Sequence, residues 1–377
     1  TYVQAMLVQF CFFGAYFVVS LPAGALIKRI GYQMGAVAGL GIAALGCALF
    51  YPASTVGYGL FLLAFFVLAA GITVLQVAAN PYVTVLGDPA TASSRLTLTQ
   101  AFNSLGTTIA PTLGGILILG GAALGAKEIA ALPAAEQAAY RMHEAASVQG
   151  PYLGLAMALL VLAMLFAAAR LPAINHEDAA AEGEDKPLLK HRHLVLGAIG
   201  IFLYVGGEVS IGSFLINYMG EARIAGLPPS EAAHYVSYYW GGAMIGRFIG
   251  FAVMRRVSPG KTLAFNAACV IALVLVAVTG SGKLAMWSLL SVGLFNSIMF
   301  PTIFSMALHR LGKRTGQGSG VLCMAIVGGA LVPFLQGVVA DSAGLQPSFV
   351  VPAACYAFIL YFGLKYANLY RPGALTV

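Results

Sequence analysis

The chain has 377 residues, of which 60% are hydrophobic and only 9% charged, and its mean hydropathy is +0.87. Soluble globular domains carry about 25% charged residues, so this composition excludes a large water-soluble domain. The net charge of +7 does not indicate a nucleic-acid-binding protein, because the basic residues are spread over many short segments and form no single patch. These values are typical of a protein with many membrane-spanning segments.

Eleven long apolar stretches follow one another along the chain, and each is a candidate membrane span. A spanning helix needs about 20 apolar residues, because 1.5 Å per residue must cover a hydrocarbon core of about 30 Å. All eleven are predicted to be helices, since backbone groups in lipid must pair within their own segment. The predicted spans are 2–27, 34–51, 57–86, 95–121, 149–170, 194–219, 232–255, 261–280, 284–308, 317–340 and 348–369.

A polar, charged segment interrupts the apolar pattern after the fifth span, and we interpret it as a solvated linker. The predicted domains are an N-terminal bundle at 1–172 with five spans, a linker at 173–193 and a C-terminal bundle at 194–377 with six spans. Fifteen of the 20 Lys and Arg residues fall in alternate connections. The positive-inside rule therefore places these connections, including the linker, in the cytoplasm and the chain start outside.

The two halves of the chain repeat each other weakly. Gln76 precedes Pro81 by five residues in the third span, and Asn296 precedes Pro301 by five residues in the ninth. These positions correspond if one span is missing before residue 1, which gives six spans plus six. Chance is the alternative explanation, because Gly and Pro are frequent in membrane helices. We favour a repeat of two parallel six-helix bundles, a known layout of secondary transporters.

Two pairs of carboxamide side chains are spaced to share a helix face. Gln76 and Asn80 are four residues apart, and Gln100 and Asn103 are three residues apart. Carboxamides offer donors and acceptors, which suits the hydroxyl groups of a sugar. The alternative is hydrogen bonding between helices, which is common for Asn and Gln in membrane bundles. We interpret Gln76, Gln100 and Asn103 as substrate-binding residues and Asn80 as a packing residue.

One acidic residue lies deep within an apolar stretch. Twelve of the 13 Asp and Glu residues fall in connecting segments, and the exception is Glu208. A charge at the bilayer centre costs roughly 2.5–3.5 kcal/mol on insertion scales, so such residues are functional candidates. We interpret Glu208 as the cation-coupling residue, which binds H⁺ or Na⁺. The alternative is a protonated, hydrogen-bonded structural carboxyl group.

Trp240 and Asn296 complete the set of predicted substrate-binding residues. Sugars have flat C–H faces that pack on aromatic rings, and Trp240 is one of two tryptophans and lies within a span. Packing or interface anchoring is the alternative for an aromatic residue in a membrane helix. The sequence contains no recognisable metal-ligand cluster, phosphate loop or catalytic triad, so we expect neither a cofactor nor an enzyme. The six histidines fall in or near connections and are predicted to be solvated.

The motifs that contain these residues resemble the L-fucose permease and glucose/galactose transporter family of the major facilitator superfamily. The similar segments are QVAANPYVTVLG at 76–87, QAFNSLG at 100–106, GEVSIGSF at 207–214, GRF at 246–248 and FPTIF at 300–304. The resemblance extends over essentially the whole chain and implies a twelve-helix sugar–cation symporter whose first helix precedes residue 1. The fucose permease branch has Glu in place of Gln76 and Gln in place of Glu208. This chain is therefore more similar to the glucose/galactose branch, and the proton-coupling route of the fucose permeases does not transfer to Gln76.

The predicted function is symport of a hexose, such as glucose or galactose, with a cation by alternating access. We expect a monomer in the inner membrane that binds sugar, cation and lipid, and no nucleic acid. The main alternative is a proton-driven drug or metabolite exporter, because GTTIAPTLGG at 106–115 resembles a Gly/Pro signature of drug–proton antiporters. A permease for N-acetylglucosamine or fucose is the second alternative. A channel is disfavoured, because the spans carry no ring of charge.

Overall fold

The structure is a computed structural model that describes residues 2–118, 131–172, 174 and 187–370. Within these ranges the chain is helical and contains no β-strand. The backbone of the apolar spans pairs largely within each helix, because a bilayer contains no water to pair with it. The α-helices are α1 (Tyr2–Val56), α2 (Tyr58–Val85), α3 (Ala92–Ile118), α4 (Ala134–Ser147), α5 (Gln149–Ala168), α6 (Arg192–Gly220), α7 (Pro229–Val253), α8 (Pro259–Thr279), α9 (Gly282–Asn296), α10 (Met299–Ala307), α11 (Thr315–Met324), α12 (Gly328–Ala343), α13 (Leu345–Ser348) and α14 (Val350–Lys365).

Helix α1 contains the first two predicted spans, 2–27 and 34–51. Its 55 residues would extend about 80 Å as one straight helix, far more than a bilayer requires. Gly31 interrupts the helix with φ 82° and ψ 170°, a conformation that residues with a Cβ atom rarely adopt. The interruption lies in the predicted connection, so α1 consists of two helical arms that meet at Gly31.

Eight helical stretches among the described residues are long and apolar enough to cross a membrane. They coincide with nine predicted spans, because the first stretch, Val8–Val56, contains two of them. Helices α3 and α7 coincide with the predicted spans at 95–121 and 232–255. The chain is thus an all-helical, multi-pass membrane protein, whereas the number of eleven spans stays a prediction. Most of the predicted linker, 175–186, lies outside the described residues.

The chain forms two compact units. The first consists of Thr1–Ala79 and Ile109–Pro172, and the second consists of Asn80–Thr108 and Ala173–Val377. The predicted bundles at 1–172 and 194–377 stay a prediction, because α2 and α3 each contribute to both compact units. The side chains that form the candidate site, apart from Gln76, belong to the second unit.

Small residues allow close helix packing in the first unit. A Cβ atom at Gly71 on α2 would lie 2.2 Å from the backbone nitrogen of Ala43 on α1. The side chain of Gln33 donates hydrogen bonds of 2.7 Å to the carbonyls of Phe166 and Ala169 at the end of α5. The second arm of α1 thus packs closely on the backbone of α2 and is hydrogen-bonded to the end of α5 through a side chain.

The second unit brings α7 and α9 into backbone contact. A Cβ atom at Gly293 would lie 2.0 Å from the carbonyl oxygen of Tyr239, and one at Gly246 would lie 2.3 Å from that of Leu294. Glycine is required at both positions because any side chain would push the two helices apart. This contact fixes the register of the aromatic and basic side chains of α7 against α9.

Gly293→Ala is expected to destabilise the protein, because the added methyl group cannot fit against the Tyr239 carbonyl. Overpacking of this kind costs typically about 1–3 kcal/mol in free energy of unfolding. Gly241→Ala on α7 is the matched control, because no heavy atom lies within 4 Å of its Cβ position. Melting temperatures in detergent should be clearly lower for Gly293→Ala than for Gly241→Ala, and equal values would contradict the close contact.

Candidate functional site

The span at 284–308 is broken in its middle. Helix α9 ends at Asn296 and α10 begins at Met299, and the helical hydrogen-bond ladder is interrupted at the two residues between them, which keep right-handed helical dihedral angles. Pro301 contributes to the break because it has no N–H to donate to the carbonyl of Ser297, four residues earlier. A carbonyl that loses its helical partner at membrane depth needs another partner from protein or water. Interrupted helices are a recurrent feature of ligand sites in transporters.

Side chains from three neighbouring helices satisfy the carbonyl groups at this break. Each makes one hydrogen bond of 3.0 Å, and together they occupy three consecutive carbonyl oxygens. The pairs are Asn266 Nδ2 with Phe295, the Tyr204 hydroxyl with Asn296, and Arg247 Nε with Ser297. The break is therefore held by α6, α7 and α8 in place of its own helical ladder.

Glu208 is connected to the break through Tyr204, which lies one turn earlier on α6. Tyr204 shares a helix face with Glu208, and its hydroxyl donates to the Asn296 carbonyl, while Arg247 on α7 donates to the next carbonyl, that of Ser297. The Tyr239 hydroxyl donates to the backbone carbonyl of Glu208 at 3.4 Å. The predicted cation-coupling residue thus lies among two phenols and one guanidinium, and its side chain is partly exposed.

Asn296 lies within a buried hydrogen-bond network. Its side chain is 0% exposed, and its Nδ2 donates to the Tyr239 hydroxyl at 2.8 Å. Its Oδ1 and the hydroxyl of Tyr356 are both buried without a hydrogen bond of normal geometry, although the two side chains are neighbours. Unpaired buried polar atoms are costly, so they mark a place where a rearrangement or a ligand could supply the missing partner. A direct contact between Asn296 and a ligand requires this network to open.

The predicted carboxamide residues of α3 form a chain with Asn80. Asn103 Nδ2 donates to Gln100 Oε1, and Gln100 Nε2 donates to Asn80 Oδ1, both at 3.3 Å. Asn103 is exposed, Gln100 is half-buried and Asn80 is buried. Arg247 Nη1 also donates to the backbone carbonyl of Gln100 at 3.4 Å. The chain therefore runs from an accessible amide to the interior, beside the helix that holds the break.

Trp240 lies on α7 next to Tyr239, with ring centroids 5.1 Å apart in an edge-to-face arrangement. The indole remains 40% exposed, so one part of its surface is open to a ligand. Gly212 on α6 lies against the ring, because a Cβ atom there would be 3.5 Å from it, at ordinary van der Waals distance. Gly212 follows Glu208 by one helical turn, so Trp240 packs on the helix that carries the acidic group.

Gln76 lies on α2, four residues before Asn80. Its side chain is half-buried, and its Oε1 is buried without a hydrogen-bond partner. The structure thus joins five of the six predicted site residues, in two groups. Gln100 and Asn103 form one group, Glu208, Asn296 and Trp240 surround Tyr239 in the other, and Arg247 connects the two groups.

Four tyrosine and arginine side chains of this site were not predicted as site residues. They are Tyr204, Tyr239, Arg247 and Tyr356. A signal existed for Tyr204, which precedes Glu208 by four residues and so shares its helix face. No spacing within α7 or α14 indicates that Tyr239 and Tyr356 meet Asn296, because that contact depends on tertiary packing.

Comparison with known proteins agrees with this architecture. The sequence matches the profile of the Major Facilitator Superfamily over residues 1–326. It is 57% identical to a Brucella abortus protein named glucose/galactose transporter, across 96% of this chain and 85% of the relative. It is 49% identical to a putative glucose/galactose transporter of Helicobacter pylori, across 97% and 88%. It is also 37% identical to the L-fucose-proton symporter of Escherichia coli, across 95% and 84%.

A crystal structure of the Escherichia coli fucose–proton symporter shares the fold. The TM-score is 0.88 at 34% sequence identity, and the match covers 96% of this chain and 90% of the symporter. These relatives are transporters and not enzymes, and the resemblance predicted from the motifs is confirmed. The chain therefore belongs to the major facilitator superfamily, in the family that contains the glucose/galactose transporters and the L-fucose–proton symporters.

Proposed function

We propose that the protein is a cation-coupled symporter of hexoses such as glucose and galactose. The names of the Brucella and Helicobacter relatives support the sugar class, at 57% and 49% identity. The observation that carries the proposal is the combination, within one unit, of an accessible carboxamide chain and an acidic residue in an apolar helix. The first suits sugar hydroxyls, and the second suits a coupling cation.

Gln100 and Asn103 are the proposed primary contacts for sugar hydroxyl groups. Asn103 is exposed and can exchange its bond to Gln100 for one to a ligand without leaving a buried group unpaired. Gln76 supplies a further amide oxygen that has no protein partner. Trp240 offers a flat surface for the C–H face of the sugar, and Asn296 contributes when its bond to Tyr239 opens.

Glu208 is the proposed cation site, and Tyr204 connects its occupancy to the broken helix. A phenol has one proton, so Tyr204 can donate either to the carbonyl of Asn296 or to an ionised Glu208. A protonated Glu208 donates its own proton, which leaves the Tyr204 proton on Asn296. Loading of Glu208 therefore favours the hydrogen bond that holds the break.

The name of the Escherichia coli relative, an L-fucose-proton symporter, supports a proton as the coupling ion. We further propose a monomer in the inner membrane, with the linker 173–193 in the cytoplasm between the bundles at 1–172 and 194–377. The excess of Lys and Arg in alternate connections supports this orientation.

Proteoliposomes test the proposal through uptake of labelled glucose under an inward proton gradient or an inward sodium gradient. Accumulation with the proton gradient is expected, and accumulation with sodium alone would assign sodium as the coupling ion. Competition by unlabelled galactose, fucose and N-acetylglucosamine ranks the sugars, with galactose expected to be the strongest competitor. Competition by lipophilic cations without any hexose uptake would favour an exporter and overturn the proposal.

A further inference from the structure

Arg247 makes hydrogen bonds to two backbone carbonyls that belong to different helices. Its Nε donates to Ser297 at the break, at 3.0 Å, and its Nη1 donates to Gln100 on α3, at 3.4 Å. The adjacent Gly246 places α7 directly on α9, since a Cβ atom there would lie 2.3 Å from the Leu294 carbonyl oxygen. The guanidinium is therefore held between the sugar-binding helix and the broken helix.

The same guanidinium lies close to Glu208. It donates to the Ser297 carbonyl, next to the Asn296 carbonyl that accepts from Tyr204, and Tyr204 lies one helical turn before Glu208. Tyr239, on the same helix as Arg247, donates to the Glu208 carbonyl. The neighbouring titratable side chains are those of Tyr204 on α6, Tyr239 on α7 and Tyr356 on α14, whose ring lies beside Gly207, and all three are phenols. Arginine keeps its charge at any physiological pH, whereas Glu208 loses its negative charge when it takes up a cation. An attraction between opposite charges is thus present in one state of the site and absent in the other.

We propose that Arg247 is the positioning residue through which cation binding changes sugar affinity. An ionised, empty Glu208 attracts Arg247 towards α6 and weakens its hold on Gln100. A cation on Glu208 removes this attraction, so Arg247 holds Gln100 and the break in the arrangement that binds sugar. This inference rests on the proposed symport, because it assigns the link between the two ligands of that function.

Cation binding can change sugar affinity only if the cation has different affinities for the two arrangements of the site. A ligand shifts an equilibrium only by its difference in affinity for the two states. The interaction of Arg247 with Glu208 supplies that difference without contact between sugar and cation. Couplings between ligand sites usually change affinity about 5–150-fold, which sets the scale of the expected effect.

The experiment measures hexose affinity of the full chain in detergent, by displacement of labelled glucose, at limiting and at saturating concentration of the coupling cation. For the wild-type protein we expect the cation to raise affinity about tenfold, within the usual range for coupled sites. For Arg247→Gln, we expect the ratio of hexose affinity at saturating cation to hexose affinity at limiting cation to be near one. In proteoliposomes it should still exchange labelled for unlabelled sugar but not accumulate it.

Two further variants distinguish positioning from general stabilisation. Arg247→Lys keeps the charge, but a single ammonium group cannot reproduce the two-pronged contact, so the ratio should fall between those of wild type and Arg247→Gln. Arg95→Gln is the matched control. Arg95 also donates to backbone carbonyls, those of Thr84 and Asp88 at 2.9 and 2.8 Å, and its loss should leave the ratio unchanged.

A wild-type ratio in Arg247→Gln would overturn the inference, and if that variant does not fold, a wild-type ratio in Arg247→Lys would do the same. Adding Arg247→Gln to a Glu208→Gln background should cause no further change in the ratio, because the charge difference is already absent. An additive effect would assign Arg247 a role independent of Glu208. Failure of the proposed function itself would differ, because the wild-type protein would then bind no hexose.

Discussion

Glu208→Gln is expected to abolish the accumulation of hexose against a gradient while leaving exchange of sugar across the membrane intact. Glutamine has nearly the same shape but is always neutral and binds no proton. The coupling cation therefore no longer contributes energy to the transport cycle. A membrane potential of 100 mV supplies about 2.3 kcal/mol for one charge, which corresponds to about 50-fold accumulation. The measurement is the ratio of internal to external labelled glucose in proteoliposomes at a fixed potential. For Glu208→Gln this ratio should remain near one.

The pH dependence of uptake provides a second readout of the same variant. If the coupling ion is a proton, wild-type uptake should rise as the external pH falls, whereas uptake by Glu208→Gln should be independent of pH. Glu221→Gln is the matched control, because Glu221 is an exposed acid at the end of the same helix. Normal accumulation by Glu208→Gln would make Glu208 a structural carboxyl group and remove the proposed cation site.

The double variant Ser93→Cys/Ser305→Cys is expected to lose transport on oxidation and to regain it on reduction. The hydroxyl oxygens of Ser93 on α3 and Ser305 on α10 lie 2.6 Å apart in a buried contact, and Tyr370 reaches the same site at 3.3 Å from Ser93. Cysteine sulfurs in these positions are close enough to form a disulfide. In the proposed orientation this contact lies near the cytoplasmic side, and in the proposed alternating-access cycle α3 and α10 separate there to release the sugar.

Formation of the disulfide between positions 93 and 305 should abolish uptake almost completely but preserve sugar binding from the outer side. Reduction of the disulfide should restore transport. The single variants Ser93→Cys and Ser305→Cys are the controls, and they also report any effect of oxidant on the five native cysteines, which are free in the structure. Undiminished uptake by a fully cross-linked protein would show that these two helices do not separate during transport. Cross-linking is quantified by the mobility shift of a fragment cleaved within the linker.

Much of the fold follows from features that are local in sequence. The long apolar stretches give helices because lipid leaves the backbone no other partner, and the interruption at Gly31 lies in the predicted connection between the first two spans. The shared face of Gln100 and Asn103 follows from helical periodicity alone and reappears as a direct hydrogen bond. Asn80 accepts a hydrogen bond from Gln100, as expected of a residue that joins two helices.

The remaining features depend on contacts between residues that are distant in the chain. Tyr239 meets Asn296 only because Gly293 allows α7 and α9 to touch, and nothing near Tyr239 in sequence indicates this. The prediction of solvated histidines is wrong for His193 and His309, which are 7% and 9% exposed. Proximity to a loop suggested solvent, but the His193 imidazole contacts the His309 carbonyl at 2.9 Å, and the His309 ring packs on Tyr370.

The break between α9 and α10 has a mechanical consequence. A side-chain hydrogen bond within a membrane protein contributes about 0.6 kcal/mol, close to thermal energy, so each of the three bonds at the break can exchange readily. Asn296 and Ser297 therefore lie at the point of this span where the backbone can change its hydrogen-bond partners most easily.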